Sequence, residues 1–157
     1  MAIIKRQLQL LLPSLSIFLD VDDLQDIGEL ESYICPSSVV LLFLSRGYFQ
    51  VRAHTTSRAH HHVANPTRNL SRAQSKNCWR EIRSSAEKHK PAALGHECDT
   101  DRGGEPLDVL RATCPADAAE YVGFDRREVI EWHRIFDLQL VSLKRIAAIV
   151  MRACAAS

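Results

Sequence analysis

The chain has 157 residues, enough for one domain with a core and too few for two ordinary ones. Hydrophobic residues make up 46% and charged residues 25%, a balance that excludes a fibrous or wholly disordered chain. With 20 Lys plus Arg against 19 Asp plus Glu, the net charge of +1 gives no global reason to expect nucleic acid or an anionic membrane as partner.

The longest unbroken aliphatic and aromatic run is Val39 to Leu44. It is far short of the roughly 20 residues that a bilayer span needs. Near the N-terminus, Lys5, Arg6, Gln7 and Gln9 interrupt Ile3, Ile4, Leu8 and Leu10 to Leu12, so no signal-peptide core forms. Five cysteines, Cys35, Cys78, Cys98, Cys114 and Cys154, are scattered without a C-x-x-C pair. This pattern suits a reducing compartment and argues against a disulfide framework or a zinc site. A cytoplasmic domain without membrane contact is the expectation.

Residues 3 to 12 place Ile4, Leu8, Leu11 and Leu12 on one face, which predicts a helix stopped by Pro13. Leu15 to Leu19 is short, β-favouring and bounded by an acidic stretch, which predicts a strand. Asp20, Asp22, Asp23 and Asp26 then mark a loop. Asp26 with Glu29 has the form of a capping box, opening a short helix with Ile27, Leu30 and Ile34.

Val39 to Leu44 has no polar alternation and is flanked by Ser37-Ser38 and Ser45-Arg46-Gly47, the pattern of a strand covered on both faces. Asn77 is positioned to cap a helix carrying Trp79, Ile82 and Ala86. Ala92 to Gly95 predicts a weak strand, and Gly103-Gly104 a turn. Leu107 and Leu110 predict a short helix ended by Pro115, and Val129 to Trp132 a last strand. Leu143, Ile146, Ala147, Val150 and Cys154 form the stripe of a closing helix with Asp137 as N-cap. Alternation of helix and strand predicts an α/β fold with an open parallel sheet and helices on both faces. Such sheets usually begin with a strand, whereas a helix comes first here.

Residues 51 to 74 break the pattern, with Arg52, Arg58, Arg68, Arg72, His54 and His60 to His62 and no acidic residue. The plain reading is an unstructured surface insertion. Adjacent histidines point apart in any regular element and make a poor metal site. Four Arg are a thin footprint for nucleic acid. The ends, Val51 and Gln74, are also compatible with GT and AG codon edges, so the segment has the form of a retained in-frame intron.

With that segment set aside, GYFQ runs into SKNCWREI. Together with FLDVDDLQDIGELESYICPSSVVLLFLSRGYF, this text resembles a TIR domain, the Toll/interleukin-1 receptor-like family. The similar features are a strand leading into an Asp-rich loop from Asp20, Gly28, a helix, a hydrophobic strand ending in Leu44-Ser45 with Tyr48 beyond it, and a helix opening with Cys78, Trp79 and Glu81. Trp132-His133 to Leu143 is compatible with the family's last strand and helix. The resemblance covers roughly residues 3 to 50 and 75 to 152. It implies a single domain with a flavodoxin-like three-layer α/β/α sandwich whose opening strand is missing. It also implies that Met1 is an internal methionine of a longer product, and that the chain is marginal without a partner strand.

The resemblance further implies signalling by TIR–TIR association and, in many members, hydrolysis of NAD+ between nicotinamide and ribose. Glu81 stands at the position similar to the catalytic glutamate. A single carboxylate suits this chemistry, because nicotinamide leaves as a neutral molecule and the ribose becomes oxocarbenium-like. Trp79, Asp20 and Asp22 are the residues that the resemblance offers for binding NAD+, which enters as substrate. No resident cofactor and no metal ligand is assigned. The plainer readings are that Glu81 is a solvated helix residue, Trp79 a core anchor, Cys78 a structural thiol and the acidic loop a solvated turn.

The rivals are a non-catalytic interaction module and an inactive truncated TIR fragment. A receiver domain requires an acceptor Asp where the strand ends in Ser45-Arg46. Dehydrogenase and P-loop readings lack G-x-G-x-x-G and G-x-x-x-x-G-K-[ST].

Overall fold

The computed structural model describes residues 2–18, 30–50 and 78–156. Helix α1 is Ala2–Leu11 and α2 is Leu30–Ile34. Strand β1 is Val40–Leu44, and residues 78–87 are helical and form α3. Strand β2 is Ala92–Glu97, followed by a 3-10 turn at Thr100–Arg102. Helices α4 (Leu107–Thr113) and α5 (Ala116–Val122) lead to β3 (Val129–Trp132), and α6 (Phe136–Ala155) closes the chain.

The three strands form one parallel sheet in the order β1-β2-β3. Val40 pairs with Ala92 and Leu44 with His96, while Leu94 pairs with Val129 and Glu97 with Trp132. Parallel neighbours need crossovers, and helices supply them. Chain segments containing α3, and α4 with α5, join successive strands.

Side-chain alternation in β1 shows why its run is continuous rather than patterned. Val40, Leu42 and Leu44 enter a core shared with Leu30 and Ile34 of α2, Ile82 of α3, Leu110 of α4 and Ala118 and Val122 of α5. Leu41 and Phe43 point the other way, into a core with Ile4 and Leu8 of α1 and Leu143, Ile146 and Ala147 of α6. Helices therefore cover both faces of the sheet. Strand β2 lies in the middle and is buried at every position. Gly95 is needed there because a Cβ would stand 2.9 Å from Cδ2 of Phe43, whose ring meets Trp132 edge-on with centroids 6.3 Å apart.

Polar contacts fix the shorter helices. Arg80 on α3 makes a two-pronged pair with Glu31 on α2, at 3.0 and 2.8 Å. Lys88 and Lys90, just past α3, donate to the backbone carbonyls of Glu31 and Cys35. Helix α5 follows Pro115 and ends at Gly123, whose φ of 61° and N–H to the Ala119 carbonyl make a left-handed cap.

Two expectations are corrected. Residues 15–18 form no strand. The Leu15 N–H donates to the Leu12 carbonyl and its own carbonyl accepts from the Gln9 side chain, so both ladder groups are spent locally. Asp137 is not the N-cap of α6: Ile135 holds that position and Asp137 lies in the first turn, where its charge still suits the helix dipole. Helix α5 was not expected from the sequence at all. The Asp26–Glu29 box, the Asn77 cap and the insertion at 51–74 lie outside the described residues. Among the described residues, no helix is long and apolar enough to cross a membrane.

Candidate functional site

Two groups of side chains stand out, one expected from the sequence and one not. The expected group sits on α3. Glu81 is half-buried there, one helical turn before the buried Ser85. A rise of about 1.5 Å per residue puts it roughly 10 Å along the helix from Lys88, which sits beyond the other end of α3. Burial pushes the Tyr121 phenol above its ordinary range, and the negative charge of Glu81 adds to this. Tyr121 donates to the Lys90 carbonyl at 3.0 Å.

Trp79 packs partly buried against the core that contains Ile82. The Arg83 guanidinium lies 5.1 Å from the centre of its ring, while the indole N–H is buried without a hydrogen-bond partner among the described residues. Cys78 packs against the same core. Asp20 and Asp22 lie outside the described residues, so the expected grouping of these carboxylates with Glu81 is not part of the described structure.

The second group stands where the parallel strands end, the rim at which open α/β sheets bind ligands. Strand β2 ends in His96 and Glu97, both buried, and continues into Cys98 and Asp99. His96 Nε2 lies 2.8 Å from the Glu105 carbonyl oxygen. The Glu97 side chain is 3% exposed, pairs with Arg134 and accepts from the Asp99 N–H at 3.3 Å. Beyond β1, Arg46 donates to the carbonyls of Thr100 and Gly104 at 2.6 and 3.1 Å, and the Gly47 N–H donates to the Glu105 carboxylate at 3.2 Å.

Beyond β2 and β3, Cys98 meets His133. The Cys98 thiol donates to the Trp132 carbonyl at 3.2 Å, and its Sγ lies 3.8 Å from His133 Nδ1. The other ring nitrogen of His133 is 3.5 Å from the Glu131 carboxylate. Burial raises the Cys98 thiol above its ordinary range, and the charges of Glu131, Glu97 and Asp99 push it further. The thiol therefore stays protonated over a wider pH range than an exposed one.

Sequence reasoning missed this rim. The available signal was the run His96-Glu97-Cys98-Asp99 at the end of a strand, matched by His133-Arg134 at the end of the next. Among the described residues, no three or more His, Cys, Asp and Glu side chains come together as a metal-binding group. Comparison with protein-family models, with curated proteins and with solved structures returned no match.

Proposed function

We propose that this chain is a TIR-like domain of flavodoxin-like architecture, acting by association with its own kind and cleaving the nicotinamide–ribose bond of NAD+ through Glu81. The reading is carried by one observation. The hydrophobic run at 40–44 is a parallel strand covered on both faces, and the next described helix bears Glu81. This is the arrangement that the resemblance calls for. In the proposed reaction the Glu81 carboxylate accepts hydrogen bonds from ribose hydroxyls and stabilises positive charge at the anomeric carbon. Water then takes the place of neutral nicotinamide.

A second reading, an association module without catalysis, is favoured by Trp79. Its ring packs against the core and under Arg83, which suits an anchor better than a cofactor platform. One experiment separates the two. The full chain at high concentration is incubated with NAD+, nicotinamide release is followed, and sedimentation is recorded on the same samples. Turnover that falls about 100-fold or more in Glu81→Gln supports the enzyme. Equal, near-zero turnover in both chains, with self-association retained, supports the module. A monomer without turnover removes both readings.

A further inference from the structure

We propose that Cys98 is a nucleophile toward thioesters, taking their acyl group with His133 as general base and Glu131 orienting the imidazole. The site is independent of the NAD+ reading and shares no residue with it.

The first argument is the pairing of β2 with β3. Paired residues of neighbouring strands turn their side chains to the same face, and His96 is paired with Glu131. Cys98 and His133 follow these two at the next position on that face, which brings Cys98 Sγ within 3.8 Å of His133 Nδ1. Glu97 alternates to the opposite face and pairs there with Arg134. Cys98 and His133 each directly follow a strand, at the rim where open α/β sheets bind ligands. The His133 side chain is 36% exposed, so a molecule arriving from solvent can reach it.

The second argument is the order of the three groups. A nucleophile needs a base within reach of its proton, and the base needs a third group on the far side of its ring. Glu131 stands 3.5 Å from His133 Nε2. Its charge favours the proton on Nε2, which leaves the lone pair of Nδ1 facing Cys98. The Cys98 thiol donates to the Trp132 carbonyl at 3.2 Å, and rotation about Cβ–Sγ carries its hydrogen to Nδ1.

The third argument is an unmet polar atom on the same face. His96 is 6% exposed, and its Nε2 meets the Glu105 carbonyl oxygen, so Nε2 carries the proton and Nδ1 is an acceptor. That Nδ1 is buried without a hydrogen-bond partner among the described residues. A buried acceptor left open costs stability, and an N–H or O–H of a bound molecule would satisfy it.

The chemistry selects the substrate class. Cys98 is a neutral thiol at rest, so its proton leaves as the attack occurs. As Sγ bonds to the carbonyl carbon, the S–H proton passes to His133 Nδ1. As the substrate's own C–S bond breaks, the leaving sulfur takes that proton. The products are S-acyl-Cys98 and a free thiol, with nothing oxidised or reduced. An amine is more basic than a thiolate and leaves less readily, which favours thioesters over amides.

The test uses the full chain, reduced and then freed of reductant, and S-phenyl thioacetate as the probe. Peptide mass spectrometry times acetylation at each cysteine. Burial and the nearby carboxylates alone would make Cys98 slower than the exposed Cys35. The expected result is the reverse, with Cys98 acetylated about 10-fold or more faster than Cys35. His133→Gln slows Cys98 by about 100-fold or more and leaves Cys35 unchanged. Imidazole added to the buffer restores the rate in His133→Gly. Glu131→Gln slows Cys98 without changing Cys35 or the melting temperature, which a merely structural role would not do. Circular dichroism checks that each variant is folded. Cys98 reacting no faster than Cys35 overturns the proposal, and so does an unchanged Cys98 rate in folded His133→Gln.

Discussion

Replacing Arg134 by Ala should destabilise the protein well beyond an ordinary surface substitution. Arg134 is itself 43% exposed on its side chain, but it pairs with Glu97, whose side chain is 3% exposed. Removing the guanidinium strands a carboxylate inside the protein with, among the described residues, the Asp99 N–H as its remaining hydrogen-bond donor. Breaking a fully buried pair in this way costs about 3–5 kcal/mol. Water reaches the arginine end of this pair, so about 2–3 kcal/mol is the appropriate figure. For a chain of this size, each kcal/mol moves Tm by about 2–4 °C, which places the variant roughly 5–10 °C below the parent. The assay is thermal unfolding at neutral pH, repeated for Glu97→Gln and for the double variant. Because Gln carries no charge to strand, the double variant should recover at least about half of the loss, a coupling of about 1–2 kcal/mol. A shift for Arg134→Ala within about 1 °C would refute the reasoning, since it would mean that water alone satisfies Glu97.

Two further outcomes are expected on the same physical grounds. A Cβ on Gly104 would stand 2.5 Å from the Glu97 carbonyl oxygen and 2.6 Å from that of Asp99, and neither is a side chain that can swing away. Gly104→Ala should therefore cost about 2–3 kcal/mol in a urea melt. Gly103→Ala, with φ of 92° but open space around it, should cost about 1–2 kcal/mol; the reverse ranking would count against the turn as described. The Glu31 carboxyl is held below its ordinary value, chiefly by the hydrogen bond from Arg80. Its stabilising contribution is present above about pH 4.5 and is lost as pH falls through the lowered folded value. Both side chains are partly exposed, so Glu31→Gln should cost only about 0.5 kcal/mol at neutral pH, fading in acid. A difference from the parent that persists unchanged in strong acid would contradict this.

Much of the sheet was legible because its residues are of one kind. Val40–Leu44 is apolar throughout, and Val129–Trp132 stands between polar turns, so both strands stand out in the text. Strand β2 was legible only as far as Gly95, because its last residues are His96 and Glu97. Their burial depends on Glu105 and Arg134, which arrive from elsewhere in the chain. Residues 15–18 misled for the opposite reason: they have strand composition, but Gln9 and Leu12 engage the backbone of Leu15 first. Helix α5 was hidden by Pro115, which reads as a stop for α4 and equally as a start for a second helix. Cys98, His133 and Glu131 are brought together by the pairing of β2 with β3, which no spacing along the chain announces.

The bracing of Arg46, Gly47 and Glu105 across the ends of β1 and β2 has a further effect. The segments that follow β1 and β2 are joined by these hydrogen bonds into one lip. A guest arriving at that lip would find its contours settled beforehand, so little freedom remains to be surrendered on contact.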